Sequence, residues 1–409
     1  MSSLPGLAPV RPARPGPGGR AAARRRWLRT LLRRAVARRS PLRRLDWILL
    51  AAVLALSVIG TLLVWSATQS ALQNDVSARS YLMKQVLNIV LGLIFMIAVS
   101  ALDQRQIRLY APVLYAVSCL GLLVVLTPLG SIVNGAHSWI SLPGGFQVEP
   151  SEFAKLAMIL LVAAILSELR SGEVRPRPRV AGLAVGCAAV PIAAVLAEPD
   201  LGAVILMTAV LIGLIGLSGI RLRWLAALLA GGTLAVVAVI QLHLLKSYQV
   251  SRLTSFLHPA ADLRGTGYSA DQAKIAIGSG GVFGQGLFHG QLIAGNFVPE
   301  QRTDFIFAVA GEELGLAGAL VIICLLAVVL LRALRIAARA QDQFGMLVAA
   351  GIAIWLAVQA FVNIGMTVGV MPVTGLPLPF VSYGGSAMFA DMIAIGVLQA
   401  VHRRRTVFG

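Results

Sequence analysis

The chain has 409 residues, of which 57% are hydrophobic and only 13% are charged, and its mean hydropathy is +0.82. A soluble domain carries about 25% charged residues, so the composition excludes an ordinary soluble protein. The net charge of +18 does not indicate a nucleic-acid-binding protein either. The arginines cluster at the N-terminal end and in short loops between apolar runs, which is the positive-inside pattern of membrane proteins.

Residues 1–44 form a basic tail rich in Arg, Pro, Gly and Ala, with no acidic residue. The tail is too polar to build a core, so we expect it to be disordered and cytoplasmic. Two interpretations stay open: the tail rests on anionic lipid, with an interfacial helix at residues 24–39, or it only fixes the topology of the chain. It does not resemble a secretory signal, because the apolar run that follows is long enough to span the membrane.

Residues 45–402 predict an all-α polytopic membrane protein. Its apolar runs approach the roughly 20 residues that cross a bilayer, whereas a β-barrel would show short alternating segments. We predict ten spans, at residues 47–65, 83–101, 111–129, 153–169, 180–197, 201–219, 224–244, 305–333, 345–370 and 386–402. Every second loop is rich in arginine, as are both tails, so both termini, including the basic tail at residues 403–409, are predicted to be cytoplasmic.

The three cysteines, and four of the five histidines, give no sign of a disulfide framework or a metal site. The cysteines lie inside apolar runs and are typical of small buried residues; they are Cys119, Cys187 and Cys324. The histidines lack the spacing of metal ligands; they are His137, His243, His258 and His289.

The long interval at residues 246–304 stands out because it is mostly polar in an otherwise apolar chain. The predicted topology makes it a large extracytoplasmic loop between the seventh and eighth spans. Long loops of this kind are usually functional or disordered, and the aromatic residues, glycines and mixed charges favour function. Asp262 lies in a turn-rich part of it, either as a base presented to a substrate or as a turn-capping residue.

Charged residues near the outer ends of predicted spans indicate a polar cavity that opens outward. Glu152 and Lys155 are three residues apart and share a helix face, as substrate-binding groups or as a structural ion pair. Asp200 lies at the outer start of the sixth predicted span, and Asp304 lies at the start of the eighth. For Glu312 and Glu313, close to glycines at helical spacing, we favour a structural role in contact with neighbouring backbone.

A glycine run at residues 278–286 has two possible roles. Its backbone N–H groups could face a phosphate, although the Lys-Ser/Thr ending of a nucleotide-binding loop is missing. Flexible turns explain the run equally well. Trp139, which precedes the fourth span, has an alternative role as an aromatic residue of the membrane interface.

Several motifs in one order and spacing resemble the SEDS (shape, elongation, division, sporulation) family. They are Asn134–Ile140 (NGAHSWI), Pro150–Lys155 (PSEFAK), Pro199–Gly202 (PDLG), Asp262 with Gly267-Tyr268, Ile275–Gly281 (IAIGSGG), Pro299–Phe307 (PEQRTDFIF), Glu312–Gly315 (EELG) and Pro377–Gly385 (PLPFVSYGG). The resemblance covers about residues 45–402, and it favours the cell-elongation branch of the family over the division branch.

The resemblance implies a peptidoglycan glycosyltransferase with ten spans that polymerises lipid II on the outer face of the bacterial cytoplasmic membrane. It also implies a class B penicillin-binding protein as the partner for cross-linking, and Asp262 as the essential aspartate. The sequence departs from the family pattern in three places. Leu263 replaces a proline after the aspartate, Glu149 replaces a glutamine, and Gln272-Ala273 replaces Gln-Ser. Glu149 adds a charge at a position expected to face substrate.

The resemblance also implies inversion at the donor sugar, which needs a base on the attacking side and charge stabilisation of the leaving diphosphate. We predict Asp262 as the base. The predicted substrate-binding residues are Trp139, Ser151, Glu152, Lys155, Asp200, Gln272, Lys274, Ser279, Glu300, Arg302, Thr303 and Asp304. Among these, Lys155, Lys274 and Arg302 are candidates for the diphosphate. Glu152, Asp200 and Asp304 either orient those cations or hold a divalent ion such as Mg²⁺ or Mn²⁺. A flippase for the same lipid, or a scaffold that activates the partner, are the competing hypotheses.

Overall fold

The structure is a computed structural model that describes residues 45–71, 75–128, 130–133, 136–142, 146–168, 177–241 and 266–408. Residues 1–44 and Asp262 lie outside the described residues, and so do the histidines His243 and His258. The predicted tail and the proposed base therefore stay predictions.

The described chain is mostly helical. Its helices are α1 Trp47–Ala71, α2 Asp75–Ala101, α3 Gln104–Val125, α4 Pro150–Leu166, α5 Pro178–Ala197, α6 Leu201–Leu217, α7 Leu222–Gln241, α8 Thr266–Ser279, α9 Gln291–Ala294, α10 Ile306–Glu313, α11 Gly315–Ala338, α12 Gln343–Thr367 and α13 Gly385–Phe408. The fold class predicted from the sequence, a helical polytopic membrane protein, is confirmed by this architecture.

Seven helices in the described part of the chain are long and apolar enough to cross a membrane, namely Trp47–Gln69, Arg79–Ala101, Gln104–Val125, Pro178–Ala197, Gly315–Ala338, Gln343–Thr367 and Gly385–Arg404. Two further apolar helices, α4 and α6, have 17 residues each. At 1.5 Å per residue they are about 25 Å long, the lower limit for a span. The count of ten spans stays a prediction.

The predicted span at residues 305–333 is not one continuous helix, because the helix breaks between α10 and α11; its second part, Gly315–Ala338, is long and apolar enough to cross a membrane. Gly315 has φ +67°, a left-handed conformation that glycine adopts without strain. The break leaves unpaired N–H groups at the start of α11 and unpaired carbonyls at the end of α10. The loop that follows α8 satisfies both sets.

The glycine run provides that pairing. Leu316 and Ala317 donate their N–H groups to the carbonyls of Gly281 and Val282, both at 3.0 Å, while the N–H of Gln285 reaches the Glu312 carbonyl at 2.9 Å. A side chain at residue 280 would meet the backbone oxygen of residue 311. The run therefore serves a close backbone contact, and its N–H groups are not arranged around a phosphate.

A small antiparallel sheet precedes α4, which the sequence analysis did not predict. Its strands are β1 Gly130–Val133, β2 Ala136–Leu142 and β3 Phe146–Val148, in the order β1-β2-β3. In the register, Gly130 lies opposite Ile140, and Ile140 lies opposite Val148. The sheet leads the chain into the first turn of α4.

Helix α12 lies in the middle of the bundle, packed against α4, α6 and α11, while α13 packs along α2. Its Trp355 is fully buried. The beginnings of α4, α6 and α13 lie at one end of the bundle, and the beginnings of α1, α3 and α12 lie at the other. These two ends carry very different charges.

Candidate functional site

A buried ion pair lies at the start of α4. Pro150 occupies the first helical turn, where its missing N–H costs nothing, and the helix places Glu152 and Lys155 on one face. The Lys155 Nζ atom lies 2.6 Å from Glu152 Oε2, with both side chains almost fully buried. The same ammonium group lies 5.5 Å from the centre of the Trp355 ring. The predicted proximity of the two charges is confirmed.

Further carboxyl groups surround Lys155. Asp391 of α13 and Glu149 both interact electrostatically with it. Burial, followed by the charges of Glu152 and Asp200, holds the pKa of Glu149 well above its usual range. Glu149 Oε1 also accepts a hydrogen bond from the Ser151 hydroxyl at 2.9 Å. This environment favours the protonated form of Glu149, so its carboxyl group need not add the charge that the sequence suggested.

The junction of α5 and α6 adds two more carboxyl groups. Asp200 caps α6 by accepting the N–H of Ala203 at 3.0 Å, a typical N-cap contact. Glu198 is fully buried. Burial, and then the neighbouring Asp200 charge, raises the pKa of Glu198 to about 8. We call the region of Glu149, Glu152, Lys155, Glu198, Asp200 and Asp391 the acid-rich end.

The segment at residues 376–386 joins the acid-rich end to the loop before α10. Ser382 donates to the Thr303 carbonyl at 2.6 Å and accepts the Leu378 N–H at 2.8 Å. The N–H of Tyr383 donates to the Arg302 carbonyl at 2.9 Å. At the other end of the segment, Ser386 accepts the Glu149 N–H at 3.0 Å.

Polar residues of α12 hold the same segment. Asn363 Nδ2 donates to the carbonyls of both Asp304 and Leu376 at 2.8 Å. One turn earlier, Gln359 donates to the Pro377 carbonyl at 2.9 Å and accepts from the Trp355 indole at 2.6 Å. A continuous chain of contacts thus runs from Lys155 through Trp355 to the 376–386 segment.

Arg302 is the cation best placed to meet an anionic ligand. Its guanidinium lies 4.6 Å from the centre of the Tyr81 ring, and the Tyr81 and Tyr383 rings pack edge to face at 5.4 Å. It forms no salt bridge with a carboxylate of the described residues. A guanidinium stacked on an aromatic ring keeps its N–H groups available for a phosphate.

The residues beside Arg302 make local contacts. Thr303 donates to Glu300 Oε2 at 3.2 Å, and Glu300 has φ +49°. Asp304 offers its backbone carbonyl to Asn363. The structure therefore brings the predicted Glu300, Arg302, Thr303 and Asp304 together next to the 376–386 segment.

The predicted residues of α8 are more exposed. Lys274 Nζ lies 2.9 Å from Asp271 Oδ1, and both side chains are roughly half-exposed. Ser279 donates to the Ala276 carbonyl at 2.8 Å and receives Gln285 Nε2 at 3.1 Å. Gln272 is half-buried on the same helix. These contacts leave Lys274 accessible and engage Ser279 within its own loop.

Trp139 is half-buried in β2, and its carbonyl accepts the Ser131 hydroxyl at 3.1 Å. Neither of its two predicted roles is decided by this contact. Within the described ranges, no group of three His, Cys, Asp or Glu side chains could hold a metal ion. Glu152, Asp200 and Asp304 therefore do not form such a group by themselves, and both of their predicted roles, orienting cations or contributing to a divalent-ion site, stay predictions.

Glu312 and Glu313 have the predicted structural contacts. Glu312 accepts the N–H groups of Leu292 and Ile293 at 2.8 and 3.1 Å. Glu313 accepts the hydroxyl of Ser66, which in turn accepts the Phe288 N–H at 2.9 Å. The contact with neighbouring backbone is confirmed, and these acids fix the loop between α8 and α10.

The sequence analysis missed three groups at this site: Asp391, Gln359 and Asn363. The signal for Asp391 was present, because a carboxylate inside an apolar span costs about 2.5–3.5 kcal/mol and usually marks a contact or a function. Gln359 and Asn363 are four residues apart in an otherwise apolar helix, so they share a face. That spacing was readable in the sequence and was not used.

Comparisons with known proteins give one consistent family. The family model FTSW_RODA_SPOVE, described as cell cycle protein, matches residues 46–407. The peptidoglycan glycosyltransferase MrdB of Escherichia coli K12 is 39% identical over 365 residues, which cover 88% of this chain and 94% of the relative. The stage V sporulation protein E of Bacillus subtilis is 37% identical over 363 residues, covering 88% and 97%.

Solved structures agree with this result. The rod shape determining protein RodA of Thermus thermophilus is 28% identical, with a TM-score of 0.64 over 88% of this chain and 97% of that one. A chain from a peptidoglycan synthase complex, solved to explain how polymerization and crosslinking are coordinated, is 30% identical, with a TM-score of 0.73 over 88% of this chain and 98% of that one.

Proposed function

This chain belongs to the SEDS family of peptidoglycan glycosyltransferases, and from that premise we propose that it polymerises lipid II into glycan strands on the outer face of the cytoplasmic membrane. Asp262 is the proposed general base. The proposed partner is a class B penicillin-binding protein, since a related chain was solved in a complex that couples polymerization to crosslinking. Both termini are proposed to be cytoplasmic, and the proposed role is cell elongation, as for the relative named RodA.

The reaction is an inverting displacement. A hydroxyl oxygen of the acceptor sugar attacks the anomeric carbon of the donor, the new glycosidic bond forms, and the bond to the diphosphate breaks. Asp262 would accept the hydroxyl proton, a contribution of typically about 10²–10⁴-fold. The leaving diphosphate gains negative charge and needs cations that are in place before the reaction.

The arrangement around residues 376–386 is the observation that carries the proposal. It places the stacked guanidinium of Arg302 and the buried Lys155 in one connected network. Arg302 suits the diphosphate because a guanidinium binds phosphate oxygens bidentately. Lys155, which Glu152 holds in place, would act as a point charge. Lys274 on α8 is the third candidate cation.

A lipid II flippase is the competing function, since buried charges in a helical bundle also suit transport. Transporters place their polar sites near the bilayer midplane, between broken helices. Here Glu152 and Asp200 lie at the starts of α4 and α6, and Lys155 and Asp391 lie in the second turns of α4 and α13, which favours chemistry near one surface. A division role is the competing cellular role, because relatives named FtsW are 35–40% identical.

The test compares glycan polymer formed from labelled lipid II by the wild type and by Asp262→Asn, each purified as an intact complex with the penicillin-binding partner. The matched control is Asp271→Asn, which removes another acid of the same long interval, one that is half-exposed and that pairs with Lys274 among the described residues. We expect Asp262→Asn to lose at least about 100-fold in polymerisation and Asp271→Asn to stay within about twofold.

Normal polymerisation by Asp262→Asn would remove Asp262 from the mechanism. If an intact wild-type complex formed no polymer and instead moved lipid II across vesicle membranes, the flippase hypothesis would replace the enzyme proposal. If the complex showed neither activity but stimulated cross-linking by the partner, the scaffold hypothesis would replace it.

A further inference from the structure

The other end of the helical bundle contains a basic cavity. It has a volume of about 240 Å³, and its lining residues are Asp46, Arg332, Arg335, Ile336, Arg339 and His402. Water in the liquid occupies about 30 Å³ per molecule, so the cavity has room for about eight waters. That is ample space for a phosphate group.

The positions of the arginines follow from helix geometry. Arg335 and Arg339 follow Arg332 by three and seven residues at the C-terminal end of α11, where Arg339 is the C-cap. At this helical spacing the three side chains project from one face. Ile336, on the same face, is buried and forms the apolar floor between them. One side of the cavity is therefore a continuous basic stripe.

The opposite walls are fixed by hydrogen bonds between α1 and α13. The N–H of Asp46 donates to Gln399 Oε1 at 2.8 Å, and Gln399 Nε2 donates back to the Asp46 carbonyl at 3.1 Å. His402 lies three residues after Gln399, on the same face of α13. Asp46 also caps α1 by accepting the Leu49 N–H at 3.1 Å. The cavity thus has rigid walls from three helices.

The charges inside the cavity do not balance. Asp46 accepts two guanidinium contacts from Arg332, one of them from Nε at 2.8 Å, and this pair is neutral. The guanidinium groups of Arg335 and Arg339 are exposed and have no carboxylate partner among the described residues. Two unpaired positive charges beside an apolar floor complement an anion of charge about −1 to −2, and arginine forks match phosphate geometry.

We propose that this cavity binds the phosphate group of an anionic ligand. Two sources share that chemistry, the headgroup of an anionic phospholipid and a soluble phosphate compound. The cavity lies at the ends of three helices, and the positive-inside rule predicts that these ends face the cytoplasmic membrane surface, where anionic lipids are attracted to clusters of arginine. The proposal does not depend on the glycosyltransferase activity.

The test uses the full-length protein and measures binding directly. Native mass spectrometry gives the Kd of phosphatidylglycerol and of zwitterionic phosphatidylcholine for the wild type and for Arg335→Gln/Arg339→Gln. The matched control is Arg105→Gln/Arg221→Gln, which removes two exposed arginines at the same predicted surface but outside the cavity. A second arm measures the thermal stabilisation of each protein by inorganic phosphate and by glycerol phosphate in phosphatidylcholine nanodiscs.

We expect the cavity variant to bind phosphatidylglycerol about 25-fold more weakly, because each of the two arginines that contact the bound phosphate contributes about fivefold. The control variant should change by less than about twofold. Arg335→Lys/Arg339→Lys, which keeps both charges but not the guanidinium forks, should bind more tightly than the Gln variant and more weakly than the wild type. An unchanged Tm of the Gln variant shows that its loss of binding is not a folding defect. A response confined to the lipid arm identifies a headgroup, and one confined to the phosphate arm identifies a soluble ligand.

Two results would overturn the proposal. Equal weakening of lipid binding in the cavity variant and in the control variant would mean that arginines attract lipid only as a diffuse surface charge. No difference between wild type and cavity variant in either arm would mean that the cavity binds no phosphate.

Discussion

The two ends of the bundle bury charge in opposite ways. At the acid-rich end, carboxyl groups outnumber the cations around Lys155. At the basic end, arginines outnumber the carboxylates, and each buried carboxylate is well supported. Asp46 has Arg332, the Leu49 N–H and the Gln399 clamp. The buried charges of the basic end are therefore paired and form the walls of its cavity, whereas the buried carboxyl groups of the acid-rich end exceed their cations.

A second cluster at the basic end shows the same pattern. Asp342 caps α12 through the Gly345 N–H at 2.9 Å, and it also accepts Gln104 Nε2 and Arg404 Nη1, both at 2.7 Å. Every oxygen of this half-buried carboxylate has a donor, so its partial burial costs the folded state little. Excess acid around one lysine carries a larger desolvation cost, which a protein tolerates where function requires it.

The largest effect that separates the two ends is expected from Lys155→Met. The substitution keeps the length of the side chain but leaves the buried Glu152 without its cation. Removing one partner of a buried pair costs about 3–5 kcal/mol, so we expect a large fall in Tm in detergent and loss of lipid II polymerisation. A change in Tm below about 2 °C would contradict this view of the acid-rich end.

The double variant Glu152→Gln/Lys155→Met separates the two roles of the pair. Without either charge, most of the stability should return. If Lys155 also binds the diphosphate, stability returns and polymerisation does not. If both return, Lys155 is a structural residue, and its proposed contact with substrate is wrong.

A smaller effect is expected from Arg332→Met at the basic end. Asp46 loses its guanidinium partner but keeps the N–H of Leu49, so the cost should be about 1–3 kcal/mol. The control Arg335→Met removes an exposed arginine of the same face and should change stability by no more than about 0.5 kcal/mol. Thermal unfolding of the three proteins in one detergent is the measurement, and a cost equal to that of Lys155→Met would erase the contrast between the two ends.

The contrast also explains how much the sequence could predict. The composition and the placement of the arginines are enough to predict a helical membrane protein, because the bilayer constrains both in every spanning segment. The spacing of Glu152 and Lys155 is enough to predict their ion pair, because the contact is between residues three apart on one helix. The break before Gly315 is not local, since it depends on carbonyls of residues 281 and 282 that lie far away in sequence. In the sequence, the only sign of these tertiary hydrogen bonds is the glycine at the break.

The same distinction between local and tertiary contacts decides which residues of the site could be predicted from the sequence. Asp391 was detectable from its position inside an apolar span. The hydrogen bond from the Ser382 hydroxyl to the Thr303 carbonyl was not detectable, because the sequence does not show which backbone carbonyl a side chain will contact. The motifs at residues 299–307 and 377–385 both carry the family resemblance, yet only the structure brings them into contact.

A pH-dependent effect is expected at the edge of the acid-rich end, from Glu198. Burial raises its pKa to about 8, whereas an unfolded glutamate titrates near about 4.3. Between these values the folded protein binds one more proton than the unfolded chain, so this group's contribution is full below about pH 4.3 and declines as pH rises toward 8. Glu198→Gln should reduce the decline and raise Tm by roughly 2–4 °C at pH 8.5.

The matched control for this pH series is Glu168→Gln. An equal change of the pH slope in both variants would show that Glu198 titrates as an ordinary exposed carboxylate. The measurement is Tm from pH 5 to pH 9 in one buffer mixture at constant ionic strength, because exposed charges also respond to salt.

The smallest effect is expected from Glu168→Gln itself, at neutral pH. Glu168 Oε1 lies 3.8 Å from the Arg108 guanidinium, and the Glu168 side chain is 75% exposed. An exposed pair is screened by water and contributes about 0–1 kcal/mol, so Tm should change by less than about 2 °C. A loss comparable with that of Lys155→Met would mean that burial does not decide the value of an ion pair here. The distinction between the two ends would then rest on the number of charges alone.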